Sequence, residues 1–287
     1  MKSLVNPLLQ SAALPLFIGL IVMYGADYAQ YFQTVWYYPE LAHVPFAAVL
    51  NLFLFFRLKN DYLALPRDCA LTPGIILLTG GLFIEICGQL IESLFFVLLS
   101  QIPVIAALIL LTRGWKGLKT FWFPLLFMVF MLPLPTVFVT YLTSHLKEAV
   151  SGGVENLLYA LGYPIGRHGV VIAIGQYQLL VSDACSGLYS MVSLSALGAM
   201  FIFLQHRASV WHNGIMVLLI IPVAVSANLM RVLTLVLMTY YLGDSMTQRF
   251  HDVIGILVFA FTFLAFMILD KVLGFFYANH PDKSIAI

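Results

Sequence analysis

The chain has 287 residues, 62% of them hydrophobic and 9% charged, with a net charge of +1 and a mean hydropathy of +0.98. Soluble domains carry about 25% charged residues, so most of this chain belongs in lipid, and its near-neutral charge leaves no basic surface for nucleic acid. Its three cysteines, Cys69, Cys87 and Cys185, are odd in number and widely spaced, which suits neither a disulfide framework nor a CxxC zinc pair.

A membrane-spanning helix needs about 20 mostly apolar residues. The first such run, 8–26, follows Lys2 and could be read as a secretory leader, but similar runs follow it and make it the first span of a polytopic protein. The next are 41–57, 72–90 and 93–112, the last two close enough for a tight helical hairpin turning near Glu92 and Ser93. A fifth covers 121–139, and three more cover 186–204, 213–241 and 252–272. The expected fold is therefore an all-α polytopic membrane protein of about eight transmembrane helices, forming one integral membrane domain over 1–287.

Positive charge in the short loops sets orientation. Arg57, Lys59 and Arg67 lie between spans two and three, Arg113, Lys116 and Lys119 between four and five, and Arg207 between six and seven, while Lys2 and Lys271 flank the ends. Both termini are thus expected in the cytoplasm, with 140–185 outside. The cluster Tyr28, Tyr31, Phe32, Trp36, Tyr37 and Tyr38 suits an aromatic belt on the outer interface. Within the outer segment, 141–162 has helical apolar spacing broken at Gly152–Gly153, which suits a helix lying on the membrane. Two apolar runs then flank Gly175 and predict a short β-hairpin leading to Asp183 and Cys185.

Three polar residues stand out against this background. Cys185 is followed by Ser186 and Gly187 at the start of the sixth span, where a helix N-terminus would favour thiolate; a free cysteine is otherwise a small buried hydrophobe. Arg231 lies inside a long apolar run, about 27 Å along it from Asn213, with Asn228 three residues earlier on the same face. A guanidinium there costs several kcal/mol unless paired or wetted; the alternative is an arginine snorkelling to the interface. His251 opens the eighth span. The connectivity puts all three at one depth on one face of the membrane. Histidine can take the thiol proton, cysteine can attack a carbonyl to give a thioester, and arginine can hold the oxyanion. Histidine can then protonate the leaving amine.

The blocks "DACSGLYSMVSLSALG" (183–198), "ANLMRVLTLV" (227–236) and "HDVIGILVF" (251–259) resemble the three motif blocks of the exosortase/archaeosortase family of membrane cysteine transpeptidases. The matching positions are Ala184-Cys185-Ser186-Gly187, Asn228-x-x-Arg231 and His251-x-x-x-Gly255, in order on successive expected spans, within a region of about 150–260. The resemblance implies Cys185 as nucleophile, His251 as general acid/base and Arg231 as transition-state stabiliser, with Asn228, Ser186, Gly187 and Asp183 in support. It implies substrates that are membrane-tethered exported proteins with C-terminal sorting signals of Pro-Glu-Pro type or a variant, a cell-surface acceptor, and a bacterial cytoplasmic membrane location. It implies no metal or organic cofactor.

Glu85, Gln89 and Glu92 fall at i, i+4 and i+7 on one face of the third span. They raise a rival function, proton-coupled transport using Glu85, Glu92 and Arg231. The bland reading is a hydrogen-bonded polar seam, and the chain lacks the evident inverted repeat of many transporters.

Overall fold

Helix dominates the computed structural model, which describes residues 5–37, 41, 43–180, 188–205 and 209–278. The chain divides into two units, Met1–Pro135 and Thr136–Ile287. Among the described residues, five helical segments are long and apolar enough to cross a membrane: Leu71–Leu90, Leu94–Met131, Leu188–Gln205, Val210–Leu242 and Val253–Phe275. The protein is an all-α polytopic membrane protein with one small sheet.

The first unit holds α1 (Val5–Tyr37), α2 (His43–Ala64), α3 (Leu71–Leu90) and α4 (Leu94–Phe127), the last running into a 3-10 turn at Met128–Met131. Helices α3 and α4 form the expected hairpin. Glu92 takes φ 52° in its turn, and the Ser93 amide donates to Gly88 O at 2.9 Å. The pairing is glycine-driven. A Cβ on Gly88 would stand 2.7 Å from the Val97 amide nitrogen, one on Gly81 2.8 Å from the Val104 side chain, and one on Gly74 2.7 Å from Leu111. Steps of seven along α3 meet steps of seven along α4, so a stripe of small residues lets the two backbones close up.

The expected loop between the fourth and fifth spans is not a loop. Arg113, Lys116 and Lys119 are helical, and α4 changes direction at Gly114, whose φ 63° and ψ −155° are non-helical. Glycine is required there: its φ is positive, and a Cβ would stand 2.1 Å from Asp68 O. The Arg113 guanidinium donates to Leu65 O and lies over the Tyr62 ring, which fixes the bend. The expected continuous span 121–139 is likewise interrupted, because helix ends at Met131 and resumes at Thr136, across Leu132-Pro133-Leu134-Pro135. Proline at two of those four positions removes backbone donors and disfavours helix before each.

The second unit holds α5 (Thr136–Ala160), strands β1 (Ile165–His168), β2 (Val171–Ile174) and β3 (Tyr177–Leu180), and helices α6 (Leu188–Gln205), α7 (Val210–Leu242) and α8 (Asp244–Ala278). Helix α5 passes unbroken through Gly152–Gly153, against expectation. The pair serves close packing instead, since a Cβ on Gly153 would lie 3.2 Å from Leu229 of α7. The expected hairpin is a three-stranded antiparallel sheet in the order β1-β2-β3, with Arg167 opposite Ile172 and Ile172 opposite Leu179. Its turns are two residues long, and Gly169 and Gly175, at φ 62° and 58°, supply the left-handed position each needs. Ile172 and Ile174 of β2 are fully buried against Val150, Val154 and Leu158 of α5 and Val232 and Val236 of α7. Alternation in β2 thus fixes one face of the sheet on the helices.

Helices α6, α7 and α8 pack together along their length. Phe201, Met216, Ile220 and Phe266 form one cluster; Leu194, Ala224 and Ala227, with Met191 and Val258, form another. Gly198 makes room for the Phe266 ring, which a Cβ would meet at 2.7 Å. Lower in hydropathy but also buried is a His212–Asp270 pair linking α7 to α8, with Nε2 to Oδ1 at 2.8 Å.

Candidate functional site

The buried face of α7 places the site. Ala224, Asn228, Arg231 and Leu235 recur at steps of four, three and four, so they share one side of the helix. Alanines at 224 and 227 bring α7 close to Leu194 of α6 and Val258 of α8. One turn further on, the small residues give way to Asn228 and Arg231, and the three helices leave a cavity of about 370 Å³. Ser190 and Leu194 of α6, Asn228 and Arg231 of α7, and Gly255 and Phe259 of α8 line it.

Arg231 donates from a terminal guanidinium nitrogen to Ser190 Oγ at 2.7 Å. That bond fixes the planar group at the cavity wall, where a charge-assisted hydrogen bond is stronger than a neutral one. Asn228 is 1% exposed, and neither its Nδ2 nor its Oδ1 has a hydrogen-bond partner among the described residues. Helix α7 continues eleven residues past Arg231 to Leu242, about 16 Å. The guanidinium therefore sits within the helix and not at its end.

Helix α8 begins at Asp244, eight residues before the expected start of the last span. His251 accordingly lies about two turns inside α8, one turn before Gly255 of the cavity wall; its side chain is outside the described residues. Asp183, Cys185, Ser186 and Gly187 lie outside them too, as do Lys2, Tyr38 and Arg207. Of the sequence-predicted site, Arg231 and Asn228 are thus found together, with the His251 backbone one turn from a shared wall. Ser190, which continues the sixth span past Cys185 and is expected from that place to line the cleft, does line it, and its bond to Arg231 is what the structure adds. The bond's signal in the sequence is only a hydroxyl five residues after Cys185.

Beside this site, the sheet is tied down by Arg167. Its Nε donates to Glu155 Oε2 at 3.1 Å, and a terminal nitrogen donates to Gly169 O at 3.0 Å. Tyr163 and Tyr241 share a hydroxyl hydrogen bond of 2.9 Å at the C-terminal end of α7.

The acidic face of the first unit is rearranged relative to expectation. Helix α3 stops at Leu90, so Glu92 lies in the turn and off the helical face that carries Glu85 and Gln89. Gln89 Nε2 donates to both carboxylate oxygens of Asp27, at 3.2 and 3.3 Å, and reaches Glu85 Oε1 at 3.5 Å. These groups are a hydrogen-bonded seam between α1 and α3, and Asp27 is the member that helical spacing on α3 could not reveal. Among the described residues, no three His, Cys, Asp or Glu side chains gather where they could hold a metal ion.

Comparison with known proteins gives one family. The model of the transmembrane exosortases matches residues 36–268 of the chain. No curated protein and no solved structure matches it.

Proposed function

We propose that this chain, which belongs to the transmembrane exosortase family, is a membrane-embedded cysteine transpeptidase that cleaves C-terminal sorting signals of membrane-tethered exported proteins. The observation that carries the reading is Arg231: a guanidinium within a membrane-spanning helix, held by Ser190 at the wall of a cavity shared by α6, α7 and α8. A charge at such depth is costly and marks function. The family match runs through both units, which supports treating 1–287 as a single integral membrane domain.

The chemistry assigned to the residues is as follows. Cys185 gives its proton to His251 and attacks the scissile carbonyl as thiolate. Arg231 holds the negative charge that develops on the oxygen. His251 returns the proton to the leaving amine, and the acyl group remains on Cys185 as a thioester. Water or an amine or hydroxyl of a cell-surface acceptor then attacks the thioester and regenerates the thiol. Asp183, Ser186, Gly187 and Asn228 shape the surroundings. We assign the enzyme to the bacterial cytoplasmic membrane, with both termini in the cytoplasm and the site on the outer face, where the lysine- and arginine-poor loops lie.

The test is processing of a tagged protein bearing a Pro-Glu-Pro-type signal. His251→Ala and Arg231→Ala should each abolish it while membrane insertion persists. Wild-type processing by either variant removes that residue from the mechanism.

One observation favours a second reading, proton-coupled transport. A polar cavity of about 250 Å³ is lined by Asp27, Gln89 and Glu92 among others. Transport would require Glu85 and Glu92 and tolerate Cys185→Ala; the peptidase requires Cys185 and tolerates Glu85→Gln. Hydrogen bonding of Glu85 and Asp27 through Gln89 supports a structural seam.

A further inference from the structure

We propose that the cleft between α6, α7 and α8 binds the substrate's backbone in extended form, with the Asn228 carboxamide hydrogen-bonded to a peptide group next to the scissile one. The proposal rests on the peptidase reading above and names how that site takes its peptide.

The first observation is Asn228 itself. It is buried in a membrane-spanning helix, lines the cleft, and has no hydrogen-bond partner for either polar atom among the described residues. Such a group is expensive to leave unmatched, and more so in lipid, where water cannot stand in. A carboxamide presents an acceptor beside donors. A peptide group presents the complementary donor and acceptor, so one Asn can satisfy either half of it.

The substrate has the opposite need. The prolines of a Pro-Glu-Pro-type segment disfavour helix at and before their own positions, so the scissile segment is extended. Its backbone carbonyls and amides then lack the i to i−4 partners a helix would give them and need partners from the cleft once water is displaced. Asn228 precedes Arg231 by three residues, about 4.5 Å of helix rise. An extended peptide advances about 3.3–3.6 Å per residue. If Arg231 holds the scissile oxyanion, Asn228 is therefore level with a peptide group about one residue away.

The walls fit a backbone arriving from the bilayer. A Cβ at Gly255 would meet nothing within 4 Å, so the α8 wall is open at that point. Ile256 and Phe259, the neighbouring residues on that wall, are exposed apolar side chains within a membrane-spanning segment. Val258, half-buried in the lining, offers apolar contact to a substrate side chain.

The test places a benzophenone amino acid at Ile256 in a Cys185→Ala background and irradiates membranes containing the tagged protein with a Pro-Glu-Pro-type signal. The expected result is an enzyme–substrate adduct that falls at least tenfold on adding Asn228→Leu, which keeps the volume and removes the amide, or Gly255→Val, which fills the opposite wall. In the enzyme with Cys185 intact, Asn228→Leu should raise KM about tenfold or more, with a smaller effect on kcat, and leave the pH profile unmoved. An adduct only with lipid or with a second copy of this chain, or an adduct undiminished by both variants, overturns the proposal. So does a fall in kcat at constant KM with a displaced pH profile, which would make Asn228 a positioning residue for His251. Processing that survives Cys185→Ala would instead strike the peptidase reading, so the two failures are separable.

Discussion

At the scale of residues, the Ser190–Arg231 bond is the contact on which the site's geometry turns. A hydrogen bond to a charged group contributes about 1.5–3 kcal/mol. Ser190→Ala should therefore slow processing roughly ten- to a hundredfold, chiefly in kcat, with protein level in the membrane unchanged; Ser190→Thr, which keeps the hydroxyl, should recover part of the loss. Arg231→Lys keeps the charge but not the planar fork that meets an oxyanion and Ser190 together, and should be nearly as inactive as Arg231→Ala in the same assay. Arg231 and Asn228 were legible in the sequence because polar groups in an apolar run are conspicuous. Ser190 was legible as a cleft-lining position past Cys185 but not as the partner of Arg231, because a serine in a membrane helix can equally bond its own backbone. Its meaning comes from α7, 41 residues away. Asp27 was missed for the same reason, since its partner Gln89 lies 62 residues on.

Among the elements, the α3–α4 hairpin shows how little side-chain volume can set an architecture. Gly88→Ala puts a Cβ 2.7 Å from a backbone nitrogen, and overpacking of this kind costs about 1–3 kcal/mol. Gly80→Ala meets nothing within 4 Å and should be neutral or stabilising, since alanine is about 0.5–1 kcal/mol better than glycine in a helix. Thermal unfolding in detergent should therefore shift in opposite directions, or at least fall only for Gly88→Ala. Equal shifts would deny the close approach. The hairpin's existence could be read from the short gap at Glu92 and Ser93, and the seven-residue spacing of Gly74, Gly81 and Gly88 was its unread cause. Strand β1 escaped notice because Ile165-Gly166-Arg167-His168 lacks the β-branched run that marks β2. Helix α5 looked broken at Gly152–Gly153 because glycine is a poor helix former, and tertiary packing on α7 overrode that preference. Spans four and five merged because a single glycine with positive φ can turn a helix without a loop.

For the molecule as a whole, enzyme and substrate share a bilayer, so they meet by lateral diffusion in two dimensions and part of the entropic cost of encounter is already met. The proposed topology puts Cys185 outside. With Cys69 and Cys87 replaced by serine, a membrane-impermeant thiol reagent added to intact cells should label the chain, and labelling only after the membrane is opened would invert the arrangement.

The most direct test of the account is Cys185→Ala in cells expressing a tagged protein with a Pro-Glu-Pro-type C-terminal signal, followed by gel mobility. The account predicts that uncleaved precursor accumulates with the variant and disappears with the wild-type enzyme. Equal cleavage of the same protein by both would contradict it, because no other residue in the proposed site can form the thioester.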